Sequence, residues 1–188
     1  MNLGVGISKK LEDYAIMLLE WNKIHSLSGA KSLEMIQKNI EDSLYPLEIE
    51  SLKLRGKKFL FDVGSGNGFP AIPLGIVLGS KVILCEPNTK KAAFLQNVKV
   101  ELGLKNFCVM RQKVEQITME DKPDIITSRA TFGVSEFLVK CQKIISKESL
   151  ILLYKGSNVE SEIPKDLEYQ KYQKDFRNYL VIKGEKLC

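Results

Sequence analysis

The segment "DVGSGNG" at residues 62–68 places three glycines two residues apart behind a carboxylate, directly after an apolar run. Glycine has no side chain, so the main chain of such a loop can approach a ligand closely at the carboxyl edge of a parallel sheet. The dinucleotide fingerprint GxGxxG would need glycine where Phe69 stands. The spacing therefore favours S-adenosylmethionine over a dinucleotide, and a glycine-rich turn that binds no ligand is the alternative.

A second acidic residue, Glu86, closes the next apolar run, "KVILCE". A carboxylate there can accept hydrogen bonds from both hydroxyls of a ribose, which either cofactor would supply. The helix that follows the glycine loop must begin between Pro70 and Pro73, or hold Pro73 in its first turn. Proline disrupts a helix at positions beyond the first turn. We therefore expect a tight loop whose following helix directs its first amides at the pocket.

The elements that position these residues alternate from Phe59 onward, as in a parallel sheet covered by helices on both faces. We predict strands in "KFLFDV", "KVILCE", "FCVMRQ", "PDIITSRA" and "SLILLYKG", and an antiparallel pair around Asp175. The fold class is thus α/β, with a doubly wound, mostly parallel sheet of seven strands that ends in a hairpin. In the helix "TKKAAFLQNVKVELG", we expect Ala93, Val100 and Leu104 on the buried side.

The N-terminal part is predicted to be helical. Ser8 can cap a first helix, and a second helix begins after Ser32 and ends near Pro46. We expect a helical extension over residues 1–52 and a donor-binding domain over residues 53–188.

Composition limits the class of protein. The chain has 188 residues, of which 44% are hydrophobic and 27% are charged, as in one globular domain. No stretch approaches the roughly 20 apolar residues that span a bilayer, so we expect a cytoplasmic protein. The cysteines at 85, 108, 141 and 188 form no CxxC pair, and with one histidine they predict no metal site. The net charge of +5 is compatible with a polyanionic partner.

Several blocks, in order, resemble the glucose-inhibited division protein B (RsmG) family of bacterial 16S ribosomal RNA guanine-N7 methyltransferases. "WNKIHSLS" is similar to the family's WNK..NLT, "NIEDSL" to HILDSL and "FDVGSGNGFPAIPL" to DVGTGxGFPGIPL. "QKVEQI", "TSRATF", "YKG" and "RNYLVIK" follow in the family's order. The resemblance implies a Rossmann-like class I S-adenosylmethionine-dependent methyltransferase. Asn39 replaces the family's histidine, so we assign it no catalytic role, and Ser26-Leu27-Ser28 replaces the NLT triplet.

The resemblance also implies cofactor contacts. Gly64 and Phe69 would touch S-adenosylmethionine, Val114 and Glu115 would hold its adenine end after the third strand, and Arg129 would belong to the same site. With the loop and the strand-end acid, the predicted cofactor-binding residues are Asp62, Gly64, Ser65, Gly66, Gly68, Phe69, Glu86, Val114, Glu115 and Arg129.

The implied chemistry needs no general base. Guanine N7 carries a lone pair and no proton, so in-line displacement at the methyl group depends on orientation in a site that excludes water. A guanine reached within folded RNA must be exposed or extruded, and it then needs a stacking surface and a hydrogen-bond donor. Our candidates for positioning it are Arg129, Phe132 and Lys155.

The predicted partner is 16S ribosomal RNA, within the small subunit or its precursor, bound by a monomer. We expect a basic rim to face its phosphates along the edge of the sheet that holds the pocket, formed by Lys53, Arg55, Lys57, Lys58, Lys90 and Lys91. Two alternatives stay open: a methyltransferase that acts on a protein or small molecule, and an RNA-binding module without turnover.

Overall fold

The computed structural model describes residues 3–25, 29–157 and 159–187. The Ser26-Leu27-Ser28 triplet and Cys188 lie outside the described residues. Within these ranges, no helix is long and apolar enough to cross a bilayer.

Seven strands form one sheet in the order β3-β2-β1-β4-β5-β7-β6. They are Phe59–Val63 (β1), Lys81–Cys85 (β2), Phe107–Met110 (β3), Ile125–Arg129 (β4), Leu150–Lys155 (β5), Gln170–Lys174 (β6) and Arg177–Lys183 (β7). The first five strands are parallel, and β7 runs antiparallel to both β5 and β6. The predicted doubly wound sheet with a terminal hairpin is confirmed. Its strand order reverses direction beside β1, which is where ligands bind in open α/β sheets.

Three helices cover the sheet between its strands: Ala71–Leu78 (α3), Thr89–Glu101 (α4) and Val134–Cys141 (α5). The helix after the glycine loop begins at Ala71 and holds Pro73 in its first turn, as predicted. In α4 the buried side is formed by Ala92, Phe94, Leu95 and Val98. The prediction that Ala93 and Val100 are buried was wrong, because the apolar stripe is rotated by about one residue; Leu104, beyond the helix, is buried.

Two N-terminal helices, Val5–His25 (α1) and Leu33–Leu44 (α2), pack against the same face of the sheet. Tyr14 and Leu18 of α1 and Ile36 of α2 are fully buried in one apolar cluster with Leu74 of α3 and with Leu60 of β1. Burying such side chains contributes about 1.5–3 kcal/mol each, so this extension is part of the core.

The caps of these two helices differ from each other. The helix α2 begins as predicted, since the Ser32 hydroxyl accepts a hydrogen bond of 3.3 Å from the Met35 amide. It gives way to a 3₁₀ turn, Tyr45–Glu48, at Pro46. Ser8 does not cap α1, which already begins at Val5; its hydroxyl donates to the Leu3 carbonyl instead.

Candidate functional site

A cavity of about 680 Å³ opens at the carboxyl edge of β1, β2 and β4. Its walls come from the loop after each of these strands and from the 3₁₀ turn Val114–Gln116, which follows β3. Predicted residues on its wall are Gly64, Ser65, Gly66, Phe69, Glu86, Lys91, Val114, Glu115, Arg129 and Phe132. Sequence reasoning did not place Cys85, Lys113, Thr131 and Lys140 there.

The glycine loop is held against the end of β2. The amides of Gly64 and Ser65 both donate to the Cys85 carbonyl, at 2.9 and 3.1 Å. Gly64 has φ +69°, and a Cβ there would overlap the Thr131 side chain. Gly66 has φ +57°, and a Cβ there would meet only the Gly64 carbonyl oxygen, at 3.8 Å, so its main chain is accessible from the cavity. Both positions favour glycine, the first also because of close packing.

Glu86 ties the loop to the next helix. Its Oε2 accepts a hydrogen bond of 2.7 Å from the Gly66 amide, and its Oε1 accepts one of 2.8 Å from the Asn88 amide. Each carboxylate oxygen keeps further acceptor capacity, so Glu86 is still able to accept from ribose hydroxyls.

Asp62 and Gly68, both predicted to bind the cofactor, do not line the cavity. The Asp62 side chain lies on a buried face of the sheet, where the hydroxyl of Thr127, its register partner on β4, donates to its Oδ1 at 2.6 Å. Among the described residues, nothing forms a hydrogen bond with its Oδ2. Burial, the dominant cause, raises the pKa of Asp62 to about 7. At Gly68, with φ +98°, a Cβ would overlap Ile72 and approach Tyr14, so this glycine serves packing against the helices.

Lys155, predicted to position the substrate, lies behind the cavity rather than on its wall. Its Nζ donates to the Phe132 carbonyl at 2.6 Å and pairs with Glu162 at 2.7 Å. The Lys155 amine therefore fixes the loop after β4. Its two protein partners, the Phe132 carbonyl and Glu162, direct it away from a guanine in the cavity. A contact between Lys155 and the base stays a prediction, and the lining of the cavity does not include this residue.

Arg129 ends β4 with its guanidinium at the cavity wall, only 14% of its side chain exposed. Its Nη1 donates to Asn39 Oδ1 at 2.8 Å and lies 3.6 Å from Asp42 Oδ2. The guanidinium carbon stands 4.6 Å from the centre of the Phe69 ring. Burial lowers the pKa of Arg129, and the nearby Asp42 opposes that shift. An arginine remains charged under such conditions, so the wall carries a fixed cation.

Asp42 joins two arginines, a feature that sequence reasoning missed. Besides Arg129, it pairs with Arg177 at the start of β7, whose Nε donates to Oδ1 at 3.2 Å. The Tyr179 hydroxyl donates to the same oxygen at 2.8 Å. Asp42 lies in the block "NIEDSL", and Arg177 and Tyr179 lie in the block "RNYLVIK". Both blocks match the family pattern, and that match was the sequence signal for these residues.

The opposite wall combines apolar and charged groups. Val114 is buried, and Glu115 pairs with Lys140 of α5 at 2.6 Å. This hydrogen bond lowers the pKa of Glu115 and raises that of Lys140. The Lys140 Nζ also stands 5.2 Å from the centre of the Phe132 ring. An apolar surface beside main-chain groups suits an adenine.

The predicted basic rim is not continuous. Lys90 and Lys91 begin α4 beside the cavity, but Lys57 and Lys58 directly precede β1 and so lie at the amino edge of the sheet, the opposite one. There the Lys58 carbonyl accepts from the Lys81 amide at the start of β2. Lys53 and Lys57 line a separate groove together with Lys147 and Lys183, and Arg55 lies on the same segment. The expectation that all six flank one edge was wrong, and their contact with RNA stays a prediction.

The cavity fits a nucleoside linked to a charged sulfonium and an amino acid. An accessible main chain at Gly66, an acceptor at Glu86 and an apolar wall at Val114 occupy successive positions around it. Across the described ranges, no three His, Cys, Asp or Glu side chains cluster as metal ligands do.

Comparison with known proteins gives one consistent family. The family model described as rRNA small subunit methyltransferase G (GidB) matches residues 7–186. The ribosomal RNA small subunit methyltransferase G of Helicobacter pylori strain HPAG1 is 41% identical over 180 residues, 95% of this chain and 98% of that protein. The protein of the same name from Campylobacter jejuni is 35% identical over 93% of this chain and 90% of its own length.

A solved structure shares the fold at low sequence identity. The T. thermophilus 16S rRNA N2 G1207 methyltransferase, in complex with AdoMet and guanosine, has a TM-score of 0.59 and 20% identity. The match covers 76% of this chain and 42% of that one.

Proposed function

This chain belongs to the rRNA small subunit methyltransferase G family, and from that premise we propose that it methylates guanine N7 in 16S ribosomal RNA with S-adenosylmethionine as donor. It is an S-adenosylmethionine-dependent methyltransferase with ribosomal RNA as its substrate. The observation that carries the N7 assignment is one cavity that joins the glycine loop to Arg129 over the Phe69 ring, while its two described carboxylates, Glu86 and Glu115, are already engaged by protein groups.

The donor's place follows from the cavity wall. Gly64, Ser65 and Gly66 would meet it with bare main chain, Glu86 would accept from its ribose, and Val114 would lie against its adenine. Glu115 would border the adenine while it stays paired with Lys140. S-adenosylmethionine supplies an electrophilic methyl group when it is bound.

The acceptor side has its own residues. Guanine N7 needs no proton removed, so this chain has to orient the base and exclude water. The fixed guanidinium of Arg129 can donate to guanine O6, and the Phe132 ring at the cavity wall offers a stacking face. Lys155 acts behind them, because it holds the Phe132 carbonyl and thereby the loop.

The substrate context follows from the RNA assignment. The substrate would be an assembled small subunit or its precursor in the cytoplasm. The enzyme would bind it as a monomer, and Lys91 and Lys113 on the cavity wall would face its phosphates. A protein or small-molecule substrate is the alternative that the cavity alone would also permit.

The proposed function is tested by measuring methyl transfer to separate fractions of ribosomal RNA, protein and small molecules. Purified enzyme is incubated with labelled S-adenosylmethionine and with ribosomal RNA, protein or small molecules from cells that lack it. We expect label in 16S RNA as N7-methylguanosine, and a loss of at least about 100-fold with Arg129→Ala. Label confined to another pool would refute the proposal, RNA binding without label would favour the non-catalytic module, and full activity of Arg129→Ala would remove that residue from the site.

A further inference from the structure

The turn between β6 and β7 exposes a large aromatic side chain. Phe176 at its tip is 75% exposed, and Asp175 before it has φ +52°. The register pairs Asn178 of β7 with Lys155 at the end of β5. The turn therefore projects from the carboxyl edge of the sheet, the same edge that holds the donor cavity.

The turn is fixed to the cavity through one carboxylate. Arg177, next to Phe176, donates to Asp42 Oδ1 at 3.2 Å, and the other oxygen of Asp42 lies 3.6 Å from Arg129 at the cavity wall. Arg177 and Asp42 are both mostly buried, with 18% and 17% of their side chains exposed. This pair anchors the β7 side of the turn beside α2, so the turn that carries Phe176 is connected to the cavity wall through Asp42.

One cation contacts this ring, and a second lies across the same turn, where the register pairs Lys174 with Arg177. Lys174 has its Nζ 4.9 Å from the centre of the Tyr45 ring, and within the described ranges no carboxylate lies close enough to pair with it. The Arg177 guanidinium carbon stands 5.7 Å from the centre of the Phe176 ring. Proteins bind unpaired nucleotides with an exposed aromatic ring that stacks on the base and a nearby cation that faces the phosphate, and Phe176 and Lys174 lie on one hairpin.

We propose that Phe176 stacks on an unpaired base of the ribosomal RNA beside the target guanine, with Lys174 facing the adjoining phosphate. The inference rests on the proposed function, since it places a second contact for that same RNA. It makes the hairpin a substrate-recognition element that lies outside the donor site.

The experiment compares steady-state methylation by three variants. Phe176→Ala is expected to raise KM for the RNA substrate about 10-fold, on the order of one lost base stack, while the affinity for S-adenosylhomocysteine stays unchanged. Phe176→Trp keeps an aromatic ring at this position, so its KM is expected to stay close to that of the wild type. Tyr169→Ala is the matched control, because Tyr169 is an exposed aromatic side chain just before β6, at the opposite edge of the sheet.

The outcomes separate the two proposals. A wild-type KM in Phe176→Ala, an equal rise in Tyr169→Ala, or no rescue by Phe176→Trp would each overturn this inference while the enzyme still methylates RNA. Wild-type enzyme that labels no ribosomal RNA would overturn the proposed function, and this inference with it.

Discussion

Asn39 Oδ1 accepts a hydrogen bond of 2.8 Å from Nη1 of Arg129, and this contact links the N-terminal helix α2 to the end of β4. The guanidinium is thereby oriented from outside the sheet, over the Phe69 ring. Where the resembling family pattern has histidine, this chain has an amide, whose oxygen accepts a hydrogen bond at any physiological pH. Asn39 is a positioning residue in this arrangement.

Removing that acceptor should loosen the arginine. Asn39→Ala is expected to lower kcat/KM for RNA methylation by about 10- to 100-fold, because a hydrogen bond to a charged group contributes about 1.5–3 kcal/mol. Steady-state kinetics would measure it, with S-adenosylhomocysteine affinity as a second readout. Gln37→Ala on the exposed side of α2 is the control. Equal activity of both variants would show that Arg129 does not need this partner.

The Asn39–Arg129 contact also shows what the sequence could and could not predict. Hydrophobic periodicity is local, so it was sufficient for the strands, the glycine loop and the helix that begins at Ala71. Arg129 and Asn39 are 90 residues apart, and Asp42 and Arg177 are 135 apart, so only the folded arrangement shows that they meet. Asp62 was expected in the pocket, but alternation along β1 places its side chain on the buried sheet face that it shares with Leu60.

The basic rim is a different kind of error. Lys57 and Lys58 precede β1, and residues that precede a parallel strand lie at its amino end, opposite the ligand edge. The predicted topology already contained that information. The predicted topology does not show which side chains meet behind the loop after β4. The hydrogen bond from Lys155 to the Phe132 carbonyl is one such contact.

A methyl group added at Gly64 should remove donor binding. Ala at φ +69° costs about 1–2 kcal/mol of backbone strain, and here the added Cβ would also overlap Thr131 in the cavity wall. Gly79→Ala is the matched control, since Gly79 has φ +66° with open space around it. Calorimetric titration with S-adenosylhomocysteine should show at least about 10-fold weaker binding for Gly64→Ala alone, while both variants lose thermal stability and Gly64→Ala loses more because of the overlap. Equal donor affinity in the two would contradict the placement of the loop.

The two basic surfaces can be separated by salt dependence. Each phosphate contact adds about 0.7–0.9 to the slope of log affinity against log salt concentration. Neutralising Lys90 and Lys91 should lower that slope for small-subunit binding by about 1.5, one phosphate contact for each lysine. The quadruple alanine variant at the amino edge, Lys53, Arg55, Lys57 and Lys58, should lower the slope and leave kcat unchanged. A wild-type slope in either variant would remove that surface from the interface.

The buried Asp62 should make stability fall as pH rises toward neutrality. Its pKa is about 7 in the folded protein against 3.8 ordinarily, so between these values the folded chain keeps a proton that the unfolded chain has released. Stability is therefore lost progressively from about pH 4 to pH 7, by on the order of 4 kcal/mol at most, and the cost is constant above that range.

Asp62→Asn removes this titration, because an amide stays neutral while its oxygen can still accept from Thr127. The difference in melting temperature between the variant and wild type should widen in the variant's favour from pH 4 to pH 7.5. Asp166→Asn, at an exposed carboxylate, should show no such trend. If the Asp62→Asn and wild-type curves ran parallel across this range, the pKa of Asp62 would be no higher in the folded chain than in the unfolded one, which would contradict the effect of burial.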